Sequence, residues 1–265
     1  MKFKSVLYKD LIEINIYLCT LCRFKCPYCY ARKDFKASWG KIISKDTLNS
    51  VFKAIKSNPG NFSLSFLGGE PTLYPHLKDC VTQFAELSNV AEILLYTNGS
   101  AYIDTLPKTT VIFAYHPTED NCNFKDNVLR CPNPKRVALS LYRNFDFDLY
   151  RFLKEHGIEI EPTFITVGSR SIFPDVIPEE QLKVYDLDGR RYNAHEVLKG
   201  EINHFKGWRC YINSYEVSVE GKVTKECSGE PYTISDLSRV KYDFIECPFE
   251  CCRDPCLWDY PKQMV

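Results

Sequence analysis

The chain has 265 residues, and its 34 basic residues balance its 34 acidic ones, so the formal net charge is zero. This length allows one large α/β domain with a small appendage. The neutral charge argues against a nucleic-acid-binding protein, and no apolar run reaches the ~20 residues that cross a bilayer. Residues 1–10 lack the layout of a signal peptide, so we expect a cytoplasmic protein.

The chain alternates predicted strands and helices over its first two thirds. Ser44 fits a helix N-cap and Gly157 fits a helix C-cap. Six strands alternating with helices predict a parallel sheet with right-handed crossovers, and we expect an α/β fold, a partial (β/α)6 TIM-like barrel. The strands are predicted at 10–18, 62–67, 91–96, 110–115, 136–142 and 158–165, and the helices at 44–56, 75–87, 125–130 and 147–156.

Three cysteines directly follow the first strand, at Cys22, Cys26 and Cys29. The chain has 13 cysteines, and in a reducing compartment their thiolates favour metal ligation over disulfides. Three thiolates would leave one iron of an iron-sulfur cluster open, whereas a structural zinc site takes four ligands. Cys19 precedes them at the end of the strand, where we expect it to pack as a small hydrophobic residue.

This Cys-x3-Cys-x2-Cys pattern, with an aromatic residue before the last cysteine, resembles the cluster motif of the radical S-adenosylmethionine (SAM) superfamily. The resemblance implies a 4Fe-4S cluster on Cys22, Cys26 and Cys29 whose open iron binds SAM. It also implies that the backbone of Tyr28 contacts the adenine. Zinc remains the alternative for a short cysteine pattern.

A second motif, Gly68-Gly69-Glu70-Pro71, follows the second strand. In isolation it reads as a strand-to-helix turn with proline opening the helix. In the family this position holds the Gly-Gly-Glu segment that binds the amino group of SAM, so the resemblance implies that Gly68, Gly69 and Glu70 bind SAM.

Two further strand ends carry candidate residues. By the resemblance, Thr97 and Asn98 are ribose or sulfonium contacts, although Asn98-Gly99 also fits an ordinary turn. His116 follows the fourth strand, where it could exchange a proton with substrate as a catalytic residue or could cap the following loop.

The alternation ends after Val167. Residues 168–206 contain a turn at 188–189 and a short helix at 193–198, and we interpret them as a connecting region. From 214 to 227 the polar and apolar residues alternate around Glu220-Gly221, which predicts a small C-terminal β-hairpin with Cys210 and Cys227 at one end.

The tail is rich in cysteine and resembles the twitch, or SPASM-like, auxiliary domain of radical SAM enzymes. Six cysteines are too few for two further clusters of four ligands each, so one auxiliary 4Fe-4S cluster is the economical interpretation. Structural zinc and disulfides are the alternatives. Two ligands would be Cys210 and Cys227, and two would come from Cys247, Cys251, Cys252 and Cys256, among which the sequence does not choose.

These expectations divide the chain into a radical SAM core at 1–167, the connecting region at 168–206 and an auxiliary domain at 207–265. The resemblance implies an oxidoreductase or maturase in which SAM yields a 5'-deoxyadenosyl radical that takes hydrogen from a substrate. An auxiliary cluster implies net oxidation or cross-linking of that substrate, or its direct anchoring.

The expected partners are a small-molecule or peptide substrate and a reductant such as flavodoxin or ferredoxin. The first strand starts near residue 11, leaving no room for an N-terminal leader-peptide-binding domain. This favours a small molecule, or a peptide delivered by a separate protein. The alternative function is a non-catalytic or regulatory metal-binding protein on the same fold.

Overall fold

The computed structural model of the protein describes residues 11–29, 39–141, 146–167, 170–172, 184–187, 190–193, 207, 209–210, 213–226, 231–246 and 262–263. Six long strands alternate with four helices within this part of the chain. The strands are β1 (Leu11–Cys19), β2 (Asn61–Gly68), β3 (Val90–Thr97), β4 (Thr109–Tyr115), β5 (Lys135–Leu141) and β6 (Glu159–Val167), and the helices are α1 (Lys45–Ser57), α2 (Leu77–Ala85), α3 (Phe124–Arg130) and α4 (Phe147–Glu155). All ten lie where the sequence predicts them, with ends that differ by one or two residues.

Local capping explains where α1 begins and where α4 ends. The Ser44 hydroxyl accepts a hydrogen bond from the Thr47 amide at 3.0 Å and caps α1. Gly157 has a φ of 64° after α4, a left-handed conformation that glycine adopts at little cost.

Shorter strands follow β6. They are β7 (Arg170–Ile172), β8 (Val184–Leu187), β9 (Arg190–Asn193), β10 (Arg209–Cys210), β11 (Ser214–Val217), β12 (Val223–Lys225), β13 (Pro231–Tyr232), β14 (Ile245–Glu246) and β15 (Lys262–Gln263). The antiparallel pair β8–β9 was not predicted, and it lies on either side of the predicted turn at 188–189. The predicted helix at 193–198 starts at a residue that the structure places in β9, and the rest of it lies outside the described residues.

One sheet of ten strands has the order β13-β12-β11-β1-β2-β3-β4-β5-β6-β7. Strands β1 to β6 are parallel neighbours in sequence order, as predicted. This is an α/β fold with a mostly parallel sheet. The closure of the sheet into a partial barrel stays a prediction.

The two faces of this sheet differ in chemistry. Alternate residues such as Ile14, Leu64, Leu95 and Val137 form one hydrophobic core with the buried residues of all four helices. The intervening residues form what we call the polar face, which combines Asn15, Ser65, Tyr96, Arg136 and Ser140 with a small apolar cluster of Leu94, Ile112 and Ala138. A period of two along each strand produces this division.

The C-terminal segment joins the same sheet. Strand β11 pairs in parallel with β1 and then in antiparallel fashion with β12, and Gly221 takes a φ of 78° in the connection. Val217 and Leu237 belong to the core cluster of the main sheet. The predicted boundary at residue 207 therefore does not separate two cores in the described residues, and the division into domains stays a prediction.

No helix in the described part of the chain has both the length and the apolar character needed to cross a bilayer.

Candidate functional site

The three cysteines lie in the loop that follows β1, at the carboxyl edge of the parallel sheet. Cys26 is buried, and Cys22 and Cys29 are half-buried. Burial raises the pKa of Cys22, and burial, with the charge of Glu119 next in size, raises the pKa of Cys26 to about 11. The nearby thiols of Cys22 and Cys29 add to the shift at Cys26. Thiols in such a place need a cationic centre to become thiolates.

The three thiols fit an iron-sulfur cluster by their chemistry. Cysteine thiolates are the usual ligands of such clusters, and Cys22, Cys26 and Cys29 present three of them from one loop. That they hold a cluster stays a prediction.

Cys19 is fully buried at the end of β1. Its thiol donates to the Glu70 carbonyl at 3.3 Å. The expectation that Cys19 packs inside the protein agrees with this position.

The two glycines of the second motif are needed because the backbone there packs against the start of the cysteine loop. A Cβ atom on Gly68 would lie 2.1 Å from the Cys19 carbonyl oxygen, and one on Gly69 would lie 2.2 Å from that of Leu21. The amides of Gly69 and Glu70 donate to these same two carbonyls, at 2.8 and 2.6 Å. Close contact between two protein segments, which the sequence does not reveal, thus explains both glycines.

The Glu70 side chain is 1% exposed and accepts four hydrogen bonds. Its Oε1 accepts from the Thr72 amide, the Thr72 hydroxyl and the Thr97 hydroxyl, at 3.1, 2.6 and 2.8 Å. Its Oε2 accepts from the Asn98 amide at 2.7 Å. A carboxylate offers about four acceptor positions, so this one is nearly saturated by the protein itself.

The side chains of Thr97 and Asn98 also form hydrogen bonds within the protein. The Thr97 hydroxyl donates to Glu70 and accepts from the Gly99 amide at 3.1 Å. The Asn98 Oδ1 accepts from the Ser100 amide at 2.9 Å, which turns Nδ2 toward the Cys22 sulfur at 3.8 Å. Contact of Thr97 or Asn98 with a ribose or sulfonium stays a prediction, and so does the binding of SAM by Glu70 and the two glycines.

His116 lies against the cysteine loop. Its Nδ1 is 3.3 Å from the Tyr28 hydroxyl, and its ring meets the Phe24 ring edge-on at a centroid distance of 6.1 Å. Burial lowers the pKa of His116 to about 4, so the imidazole is neutral at pH 7. Which of the two groups donates in this hydrogen bond depends on the tautomer of the neutral ring. A catalytic role for His116 stays a prediction, as does the contact of Tyr28 with adenine.

Two residues that follow His116 also touch the cysteine loop, and the sequence analysis did not predict these contacts. Glu119 Oε1 accepts from the Lys25 amide at 2.9 Å, and the Thr118 hydroxyl hydrogen-bonds with Cys26 and Tyr28. The one signal that could have found them is their place directly after a strand end that faces the cysteines.

The auxiliary cysteines are only partly covered by the structure. Cys210 lies in β10, where it pairs with Ile245 of β14. Strand β14, which pairs with β10, ends at Glu246, one residue before Cys247 in the sequence. Cys227, Cys247, Cys251, Cys252 and Cys256 themselves lie outside the described residues.

Comparison with known proteins finds a similarity over part of the chain. Residues 16–120 match the family model described as the Radical SAM superfamily. The matched stretch includes the cysteine loop, Glu70, Asn98 and His116, which the structure brings together.

About a third of the chain is also similar to two mycobacterial proteins. GTP 3',8-cyclase 2 of Mycobacterium bovis is 31% identical over 88 residues, which are 33% of this chain and 24% of that protein. GTP 3',8-cyclase of Mycobacterium marinum is 28% identical over 92 residues, 34% of this chain and 26% of that protein. The match therefore spans about a quarter of the length of these relatives.

Solved structures of low sequence identity share the fold. The structure of anSMEcpe with bound AdoMet and Kp18Cys peptide is 17% identical, with a TM-score of 0.55 over 86% of this chain and 78% of that one. The structure of SuiB from Streptococcus suis is 13% identical, with a TM-score of 0.54 over 89% of this chain and 66% of that one.

Replacing Glu70 by Gln should lower the free energy of unfolding by about 2 kcal/mol or more, because the amide nitrogen would face buried donors and leave polar groups unpaired. Urea unfolding of the two proteins measures the difference. Glu86, exposed at the end of α2, is the matched control, and Glu86→Gln should stay within about 0.5 kcal/mol of the parent. Equal stability of Glu70→Gln and the control would show that the four hydrogen bonds contribute little.

The low pKa of His116 predicts a loss of stability in mild acid. The unfolded chain takes up this proton near pH 6.5 and the folded chain only near pH 4, so the free energy of unfolding falls as the pH falls between these values. Between pH 7.5 and 5.5 His116 should account for a loss of about 1 kcal/mol. His116→Asn, which keeps an acceptor near the position of Nδ1, should reduce the acid-dependent loss by this amount in urea unfolding. The same pH dependence in both proteins would contradict the assignment.

Proposed function

We propose that this protein is a radical SAM enzyme whose 4Fe-4S cluster is held by Cys22, Cys26 and Cys29. The observation that carries the proposal is the placement of these three thiols at the carboxyl edge of a parallel sheet, where Asn98 contacts the Cys22 sulfur and His116 contacts Tyr28 of the same loop. Cluster and SAM supply the one-electron cleavage that produces the 5'-deoxyadenosyl radical. The substrate is a small molecule or a peptide, and the electron comes from a reductant such as flavodoxin or ferredoxin.

The residues of this chain orient the site. Glu70 fixes the backbone of Asn98, and Asn98 in turn directs its amide at the Cys22 sulfur. His116 holds Tyr28 of the cysteine loop. Because these side chains are hydrogen-bonded to one another or to the cysteine loop, SAM would bind to a preformed edge of the sheet rather than to mobile side chains.

The polar face of the sheet lies below this edge and is the proposed substrate side. Ser65 and Ser140 are 7% and 8% exposed, and neither hydroxyl has a hydrogen-bond partner among the described residues. A buried hydroxyl without a partner is costly, and a ligand or an ordered water would relieve the cost.

We also propose one auxiliary 4Fe-4S cluster in the C-terminal region, with Cys210 and Cys227 as two ligands and two of the four later cysteines as the others. The backbone supports this assignment, because β10 carries Cys210 beside the strand that leads into Cys247. Glu226, the residue before Cys227, donates its amide to Ser214 at 3.0 Å, which returns the chain to the end of the hairpin nearest Cys210.

Each of the single variants Cys22→Ala, Cys26→Ala and Cys29→Ala should abolish SAM cleavage, since a cluster with two protein ligands does not keep its open site. The test is anaerobic reconstitution with iron and sulfide, then SAM and dithionite, with 5'-deoxyadenosine measured by chromatography. The SAM-dependent change of the cluster's EPR spectrum is a second readout. Cys122, which is exposed and lies outside the loop, provides the control, and Cys122→Ala should match the parent.

If the parent formed no 5'-deoxyadenosine and SAM did not alter its EPR spectrum, the enzyme proposal would fail in favour of a non-catalytic metal-binding protein. Full activity of any one of the three cysteine variants would remove that cysteine from the cluster.

Loss of Cys210 or Cys227 should lower the iron content from about eight to about four per chain, counting two four-iron clusters. Uncoupled SAM cleavage should largely survive, because the first cluster is held by a separate loop. Iron and zinc are measured in Cys210→Ala, Cys227→Ala and the parent, reconstituted side by side. Unchanged iron would exclude the auxiliary cluster, and zinc in its place would indicate a structural site.

A further inference from the structure

The loop between β4 and α3 makes more contacts with the cysteine loop than a simple connection requires. His116, Thr118 and Glu119 each touch a different part of it. The Glu119 amide donates to the His116 carbonyl at 3.1 Å, so a turn fixes the spacing between these side chains. The contacts extend from Phe24 to Tyr28, on both sides of Cys26.

Glu119 has the most unusual partner among them. Its carboxylate accepts the backbone amide of Lys25, which lies between Cys22 and Cys26. Amide hydrogens in such loops are potential donors to the cluster sulfurs, and hydrogen bonds to those sulfurs raise the reduction potential. An amide that is bonded to Glu119 is not available to a sulfur.

The charge of Glu119 acts in the same direction. The side chain is half-buried, so solvent screens its charge only in part. Its carboxylate is bonded to the amide of Lys25, the residue directly before Cys26. A negative charge beside a cluster opposes the addition of an electron and so lowers the potential. Splitting a carbon-sulfur bond by one electron requires a strongly reducing donor, which a low potential provides.

We propose that Glu119 is a positioning residue of the cysteine loop, with two separable effects. Its acceptor oxygen holds the loop in the shape that retains the cluster, and its charge keeps the cluster's reduction potential low. The inference rests on the proposed function, because it requires a cluster on Cys22, Cys26 and Cys29.

Two substitutions separate the effects. Glu119→Gln keeps an acceptor oxygen for the Lys25 amide and removes the charge, whereas Glu119→Ala removes both. Asp120, the exposed neighbour, provides the matched control through Asp120→Asn. Each protein is reconstituted anaerobically at full length, and the cluster potential is measured by EPR-monitored redox titration without SAM. Cluster loss is measured under excess EDTA as the rate of bleaching at about 400 nm, roughly where iron-sulfur clusters absorb.

The potential should rise in both Glu119 variants and stay at the parent value in Asp120→Asn. Bleaching should be about fivefold faster in Glu119→Ala, as expected for one lost hydrogen bond, and should match the parent in Glu119→Gln. An unchanged potential in Glu119→Gln would overturn the role of the charge. Unchanged bleaching in Glu119→Ala would overturn the role of the acceptor. A parent that holds no cluster would instead refute the proposed function, so the two failures are distinguishable.

Discussion

The buried carboxylate of Glu70 is the interaction on which the arrangement of the site depends. It accepts hydrogen bonds from Thr72, Thr97 and Asn98, and so ties the end of β2 to the end of β3. The backbone amide of the same residue donates to Leu21 at the start of the cysteine loop. One residue thus joins three neighbouring strand ends. Burying a charge in this way is favourable only because nearly every acceptor position is filled.

The parallel order of β1 to β4 explains why these groups can meet. The carboxyl ends of consecutive parallel strands lie at one edge of the sheet, so the cysteine loop, Glu70, Asn98 and His116 are brought together although they span about a third of the chain. The close approach of Gly68 and Gly69 to the loop sets the distances at this edge. The neighbouring strands add polar contacts to the cysteine loop. Within its described residues, the loop has a backbone hydrogen bond of its own from the Cys29 amide to the Cys26 carbonyl.

Local sequence signals were sufficient for the helices, the six long strands and the strand ends that carry the motifs, because period, caps and glycine positions are properties of short segments. The direction in which a side chain points, and the partner that it meets, are not properties of a short segment. The motif at Glu70 predicts that its carboxylate binds SAM, which stays a prediction, but it did not reveal that Thr97 and Asn98 of the next strand donate hydrogen bonds to the same carboxylate. The pairing of β11 with β1 joins residues almost 200 positions apart, and no local pattern encodes such a contact.

The pairing of β1 with β11 connects the first cysteine site with the C-terminal region. Strand β1, which leads into the cysteine loop, lies between β2 and β11, so its backbone is hydrogen-bonded on both edges. Asn15 donates to Ser214 and Tyr17 to Glu216, which adds side-chain bonds across the same junction. The segment that follows Cys210 is therefore part of the support of the first cysteine site. Val217 of β11 and Val223 of β12 pack into the core of the main sheet, so this support comes from apolar packing and strand pairing and does not require a metal centre near Cys210.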